Sequence, residues 1–275
     1  GRSFGLQELL DQIGAFLGPV LLWLVMLGRT DASPIRTYSL CFAVLAIPGG
    51  ITLLLLLYTR SRFPNPEQFE PEPKEYIPFR MKKSFILYIA GISLFAFGFI
   101  DYSLIVMHIS RTAALSGAVG LITEETLPLL YAGAMLIDAV SALFFGFLYD
   151  RIGVRSLIFS TLLSSGFAVF VFSMHSVPAL LVGIALWGVG MGAQESILKA
   201  AVSSMVPKSS RATGYGIFEC SFGFFWFLGS WLMGALYDFS IPAMVAVSVA
   251  AQLLSIPLYL ASSRQKIREE QPLHE

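Results

Sequence analysis

The stretch Gly146-Phe147-Leu148-Tyr149-Asp150-Arg151-Ile152-Gly153-Val154-Arg155-Ser156 is a short polar interruption between two long apolar runs. The run before it covers about residues 127 to 149 and the run after it about 156 to 174. Each approaches the roughly 20 apolar residues that a helix needs to cross the hydrocarbon layer. A turn of this kind makes the chain reverse at a membrane surface. Composition agrees, since 56% of the 275 residues are hydrophobic and 13% are charged, against roughly 25% charged in soluble domains. Mean hydropathy is +0.73. A barrel is excluded because its strands are about 10 residues long and alternate in polarity. The net charge of zero offers no basic field for nucleic acid. Cys41 and Cys220 both lie in apolar runs and suggest no disulfide framework.

Working outward from that turn, the sequence predicts an all-α membrane protein with eight transmembrane helices. The spans are about 5 to 28, 38 to 59, 84 to 108, 127 to 149, 156 to 174, 178 to 202, 212 to 237 and 241 to 261. An even number places both ends on one side. With the ends inside, the inner segments hold 14 of the 18 basic residues, so the positive-inside rule makes both termini cytoplasmic. The cytoplasmic (plasma) membrane is the expected location. Residues 60–83 form the one long inner connection, with Pro64, Pro66, Pro71, Pro73 and Pro78 among Glu67, Glu70, Glu72 and Glu75. Such a segment is a stiff, solvated tether. It leaves two spans in residues 1–59 and six in residues 84–275.

An internal repeat accounts for the asymmetry. Gly5, Glu8, Phe16, Leu17 and Gly18 recur as Gly216, Glu219, Phe227, Leu228 and Gly229, each offset by 211 residues, with Leu6 matched by Ile217. The first span then corresponds to the fifth of the six spans after the tether. On that reading, residues 1–59 are the last two helices of an N-terminal six-helix half. Residues 84–275 are a complete second six-helix half with a short cytoplasmic tail. The chain starts at Gly1 and enters an apolar run within about five residues, so four further helices are expected upstream.

These residues resemble the major facilitator superfamily of secondary transporters. The family's loop pattern, Gly-x-x-x-Asp-Arg-x-Gly-basic-basic, is matched by Gly146, Asp150, Arg151, Gly153 and Arg155, with Val154 in the first basic position. A second pattern, Gly-x-x-x-Gly-Pro, is matched by Gly14, Gly18 and Pro19, a helix-packing motif in the fifth span of the half. The resemblance implies two bundles that rock about a midplane cavity, and a gating loop that holds inner helix ends together in one state and releases them in the other. A plain connecting turn is the alternative for that loop. Asp150 is expected to cap the helix that follows it, and Gly146 to admit a close neighbour.

Ionisable groups inside spans are costly to bury and tend to face a cavity or a partner. Asp138 precedes Asp150 by 12 residues, about 18 Å of helix, near the midplane. It is the expected substrate or proton site. The alternative is a protonated or hydrogen-bonded structural carboxyl. Glu195 and Lys199 share a helix face at i, i+4, and with Glu8, Asp11 and Glu219 they are expected to form an inner gate or proton vestibule. Interfacial charges reaching toward the cytoplasm are the bland alternative. Asp101 is expected to be an end cap at the outer surface. His108 sits at an outer helix end, His175 in an outer loop and His274 in the tail, so no histidine is placed for a metal or a relay.

No nucleotide loop, metal cluster or nucleophile constellation accompanies the spans, so no cofactor and no enzymatic activity are expected. The expected function is secondary transport of a small solute by alternating access, coupled to protons because acidic groups dominate the spans. The partners are then the solute, protons and the bilayer, with no nucleic acid, and the full-length protein is expected to be a monomer. A non-transporting sensor or scaffold of the same fold is the competing class.

Overall fold

The structure is a computed structural model that describes residues 2–28, 33–65, 80–116, 122, 125–174 and 176–270. Every regular element among the described residues is helical: α1 (Arg2–Leu27), α2 (Pro34–Arg62), α3 (Lys83–Gly98), α4 (Tyr102–Ser116), α5 (Leu127–Ile152), α6 (Ser156–Ser164), α7 (Phe167–Ser173), α8 (Val177–Met205), α9 (Arg211–Phe239) and α10 (Ile241–Glu270). The tether from 66 to 79 lies outside the described residues.

Local chemistry sets the helix ends. Pro34, Pro128 and Pro178 stand in the first turns of α2, α5 and α8, where a missing N–H removes no helical bond. The Ser176 hydroxyl accepts the Ala179 N–H at 3.4 Å to start α8, and Ser240 does the same for Ala243 of α10. α3 is capped from another helix. Glu269, near the end of α10, accepts the Ser84 N–H at 3.2 Å and the Ser84 hydroxyl at 2.6 Å, which satisfies a donor that α3 leaves open.

Seven segments among the described residues are long and apolar enough to cross a membrane. One of them, Leu127–Ser173, has 47 residues, about 70 Å if it were one straight helix. It instead folds back on itself at Gly153. α5 and α8 run parallel, because Gly188 of α8 meets Ala134 and Gly192 meets Asp138 and Ala142. α6 and α7 run antiparallel to α8, because Gly183 meets Val171 while Gly190 meets Ser164. α5 and the α6–α7 segment therefore point in opposite directions.

The core sits in the part of the chain after the tether. α3 packs most extensively on α10, antiparallel to it, with Gly91 against Tyr259 and Gly98 against Ala251. Tyr88, Phe95, Phe99, Phe167, Phe172 and Tyr259 are fully buried there. α9 runs alongside α3 and α4, with Gly229 on the Phe97 backbone and Tyr237 beside His108. α1 lies along α5, and α2 packs chiefly on α1.

The predicted third span is interrupted. Phe99, Ile100 and Asp101 leave the helix, and α4 continues for 15 residues beyond them. Backbone groups freed inside a membrane must find partners within the protein. The Gly98 carbonyl accepts from the Ser248 hydroxyl at 2.6 Å and from Gln252 Nε2 at 3.3 Å. The Ile100 carbonyl accepts from Trp187 Nε1 at 2.9 Å.

Candidate functional site

The helices hold two polar features, and the α5–α8 seam carries the first. Ala134 and Ala142 are buried on α5, and the facing glycines of α8 bring the backbones into contact. A Cβ at Gly188 would sit 2.6 Å from the Ala134 carbonyl oxygen, and one at Gly192 would collide with the Asp138 carbonyl oxygen. Asp138 is therefore pinned at the tightest part of the seam with 0% exposure. Glu195 follows Gly192 by three residues, about 4.5 Å of helix, so it lies within one turn of that contact.

Gln12 completes the layer from a third helix. Its side-chain amide donates to Glu195 Oε2 at 2.6 Å, joining α1 to α8. Nothing in the sequence patterns marked Gln12, although a glutamine in an apolar run is itself a polar group seeking a partner. Lys199 stands one turn beyond Glu195 and is half-buried. The Lys199 carbonyl accepts the Tyr215 hydroxyl at 2.8 Å, which ties α9 to the same level. Asp11 and Glu219 are exposed on α1 and α9. The side chain of Glu8 lies outside the described residues, as do His175 and His274. Of the expected vestibule, Glu195 is bonded to Gln12 and Lys199 stands one turn beyond it on α8, while Asp11 and Glu219 face outward.

At one end of the seam lies the polar turn. Gly153 has φ of 62°, the left-handed region that a Cβ disfavours, and it ends α5. Val154 behind it is buried, while Asp150, Arg151 and Arg155 are exposed. Asp150 does not cap the next helix. α5 continues to Ile152, so Asp150 sits in its last turn, and α6 begins only at Ser156. Gly146 is not a point of close approach, since a Cβ there would lie 4.0 Å from Ser196 Cβ, an ordinary contact. Three helix ends converge beside the turn on Ser204: its hydroxyl is 3.0 Å from the Tyr149 hydroxyl and accepts from Lys266 Nζ at 3.2 Å.

The second feature is the interruption of the third span. Asp101 is interior to the apolar segment Lys83–Thr112, not an end cap, because α4 carries the span onward. Its carboxylate turns to α9, where Trp226 Nε1 donates to Oδ1 at 2.5 Å and the Ser230 hydroxyl donates to Oδ2. A cavity of about 360 Å³ opens beside it, lined by Asp101, Ser103, Ser230 and apolar groups. A run of rings leads away from the interruption: Trp226 to Phe99 at 5.8 Å, Phe99 to Trp187 at 5.9 Å, Trp187 to Tyr102 at 5.0 Å and Tyr102 to Tyr131 at 4.8 Å.

A larger apolar cavity of about 580 Å³ lies on the other side of α4, where Pro19, Leu22, Tyr38 and Phe42 of the α1–α2 pair face Tyr102 and Tyr131. Pro19 lines it, whereas a Cβ at Gly14 or Gly18 would meet nothing within 4 Å. At the far end of α4 and α9 from the polar turn, Arg111 pairs with Asp238 at 3.2 Å and lies over the Tyr237 ring at 5.3 Å.

The family model described as Major Facilitator Superfamily matches residues 106–275. A protein of Mycobacterium tuberculosis (strain H37Rv), described as uncharacterized, is 34% identical over 267 residues, covering 95% of this chain and 62% of its own length. A Mycobacterium bovis protein matches to the same extent. A Methanocaldococcus jannaschii protein, described as an uncharacterized MFS-type transporter, is 27% identical over 253 residues, covering 87% of this chain and 58% of its own. This chain thus spans about three fifths of the length of the curated relatives it matches. No solved structure matches significantly.

Proposed function

This chain belongs to the Major Facilitator Superfamily, and from that premise we propose that it works within a secondary active transporter that moves a small solute by alternating access, coupled to protons. It is an integral membrane protein. On this reading it makes eight passes of the cytoplasmic membrane with both ends inside. Residues 1–59 supply two helices of one bundle, residues 60–83 the linker, and residues 84–275 the other bundle. The protein acts as a monomer when full length.

The observation that carries the reading is a carboxylate, Asp138, with 0% exposure in a seam that α1 joins through Gln12 and Glu195. Transporters of this build place cargo and coupling-ion sites near the midplane at the junction of their halves. Asp138 takes and gives up the proton. Glu195 and Lys199, with Glu8, Asp11 and Glu219 around them, form the inner vestibule through which it passes. The turn Gly146, Asp150, Arg151, Gly153 and Arg155 is the gating loop, and the Tyr149–Ser204–Lys266 contacts hold the adjoining helix ends.

The test is proton movement in proteoliposomes made with the full-length protein and loaded with a pH-sensitive dye. A panel of neutral and cationic solutes is offered one at a time. At least one should acidify or alkalinise the lumen in proportion to its uptake, and Asp138→Asn should reduce that flux about tenfold or more, a change of about 1.4 kcal/mol. Solute flux that is indifferent to Asp138→Asn would remove Asp138 from the coupling step. No flux for any solute would leave the scaffold reading in its place.

A further inference from the structure

Asp101 and its cavity have no part in the reading above. The carboxylate is presented at an interruption of an apolar segment, its two hydrogen-bond partners come from α9, and neither partner is charged. An ionised carboxylate has acceptor sites only, about four of them. Trp226 Nε1 and the Ser230 hydroxyl occupy one on each oxygen. Among the described residues, Asp101 has no cationic partner. The rest of its surface lines a cavity of about 360 Å³, to which Ser103 and Ser230 add hydroxyls and Ile100, Leu104, Met107 and Met233 add an apolar wall.

The geometry points to this cavity as a binding site for a small monovalent cation, either an alkali ion or the ammonium group of an amine. A single carboxylate with two hydroxyls balances one positive charge. Divalent calcium calls for six to eight oxygens, usually including several carboxylates, and no group of three His, Cys, Asp or Glu side chains occurs among the described residues. An anion is disfavoured by the carboxylate itself. The volume exceeds that of a bare ion. At roughly 30 Å³ per water, an alkali ion keeps part of its hydration, and an amine of several heavy atoms lays its carbon against the methionines. Interrupted membrane helices are where transporters hold coupling cations, commonly through unwound carbonyls; here those of Gly98 and Ile100 are taken and the Asp101 carboxylate supplies the charge.

The site is separate from Asp138. Asp138 is not among the groups that line the cavity, and Phe99 touches Trp226 of the Asp101 site and Trp187, next to Gly188 in the α5–α8 seam. The inference concerns binding and does not rest on transport. Its failure would leave the proposed function standing, and failed transport would leave it standing.

The experiment uses the full-length protein in zwitterionic nanodiscs, in N-methylglucamine chloride at fixed pH and ionic strength. Sodium, potassium, lithium and methylammonium chlorides are titrated in separately, and tryptophan fluorescence and the thermal midpoint are read. One or more should give a saturable fluorescence change, since Trp226 is bonded to Asp101, together with a raised midpoint. The alkali and methylammonium arms separate ion from amine. Asp101→Asn should weaken binding about tenfold to a hundredfold, as expected on losing a charged partner. Asp138→Asn should change it far less, within about threefold. Ser103→Ala alters only an exposed hydroxyl and should weaken binding severalfold without lowering the cation-free midpoint, so the inference is testable even if Asp101→Asn does not fold. No saturable response to any cation, a response unchanged in both Asp101→Asn and Ser103→Ala, or one that depends on Asp138 instead, would overturn it.

Discussion

α2 and α8 are each 29 residues long and each apolar enough to span a membrane, yet they sit in opposite ways within this chain, which spans about three fifths of its relatives' length. The α2 segment has the higher mean hydropathy, 2.5, and only 6% of its most apolar window is buried, whereas α8 has 1.6 and 44%. In water the order would be reversed. Within lipid, hydrocarbon is as good a neighbour for leucine as another helix is, so apolarity drives no association. Interlocking backbones and hydrogen bonds do. α8 supplies Gly183, Gly188, Gly190 and Gly192, each of which lets a neighbour approach closer than a Cβ would allow, while a Cβ at Gly49 or Gly50 of α2 would meet nothing within 4 Å. Hydropathy locates a helix in the membrane and leaves open what it packs against.

The widest separation between the two helices should appear in a matched pair of substitutions. Gly192→Leu drives a side chain into the Asp138 backbone, where no rotamer change gives relief, and should destabilise the protein by about 3 kcal/mol or more. In the same 275 residues, where a Cβ at Gly49 meets nothing within 4 Å, Gly49→Leu should fall within about 0.5 kcal/mol of the parent. Thermal midpoints of the purified variants in one detergent check both, and equal losses would break the comparison. A smaller effect tests the join between the two regions. Gln12→Leu removes the bond to Glu195, and should lower stability by about 0.6 to 1.7 kcal/mol, from the average to the largest value for hydrogen bonds between membrane helices. Cross-linking between cysteines placed in α1 and α5 should fall with it, and unchanged cross-linking would mean that apolar contact alone holds α1. The smallest effect belongs to the rim. The Arg111–Asp238 pair is 55% and 72% exposed, so a double-mutant cycle should give at most about 1 kcal/mol, fading as salt is raised.

The sequence showed most where a physical rule acts locally. The polar turn is such a place: Gly153 was marked by its position between two spans, and it ends α5 in the one left-handed conformation among the described residues. Asp138 was marked as a charge in an apolar run, and it is buried. The interruption at Phe99–Asp101 was not legible, because no proline marks it and hydropathy runs on through Tyr102. What breaks the helix is partners distant in sequence, Ser248, Gln252 and Trp187, which take the carbonyls that the helix would have used. Asp101 was therefore placed at an end that the chain had not reached. Gln12 was overlooked for a related reason. Its importance lies in Glu195, 183 residues away, and no local pattern records such a pairing.

Trp187 belongs to both polar features at once. Its indole N–H holds the Ile100 carbonyl beside Asp101, and the next residue, Gly188, lies on the Ala134 backbone one turn from Asp138. A shift of α8 relative to α4 would lengthen or release that bond and so link the energies of the two carboxylate sites. Linkage then runs both ways: whatever factor occupancy beside Asp101 applies to proton affinity at Asp138, a proton at Asp138 applies to the affinity beside Asp101. Trp187→Phe, which keeps the ring and deletes the donor, is the substitution that would uncouple them.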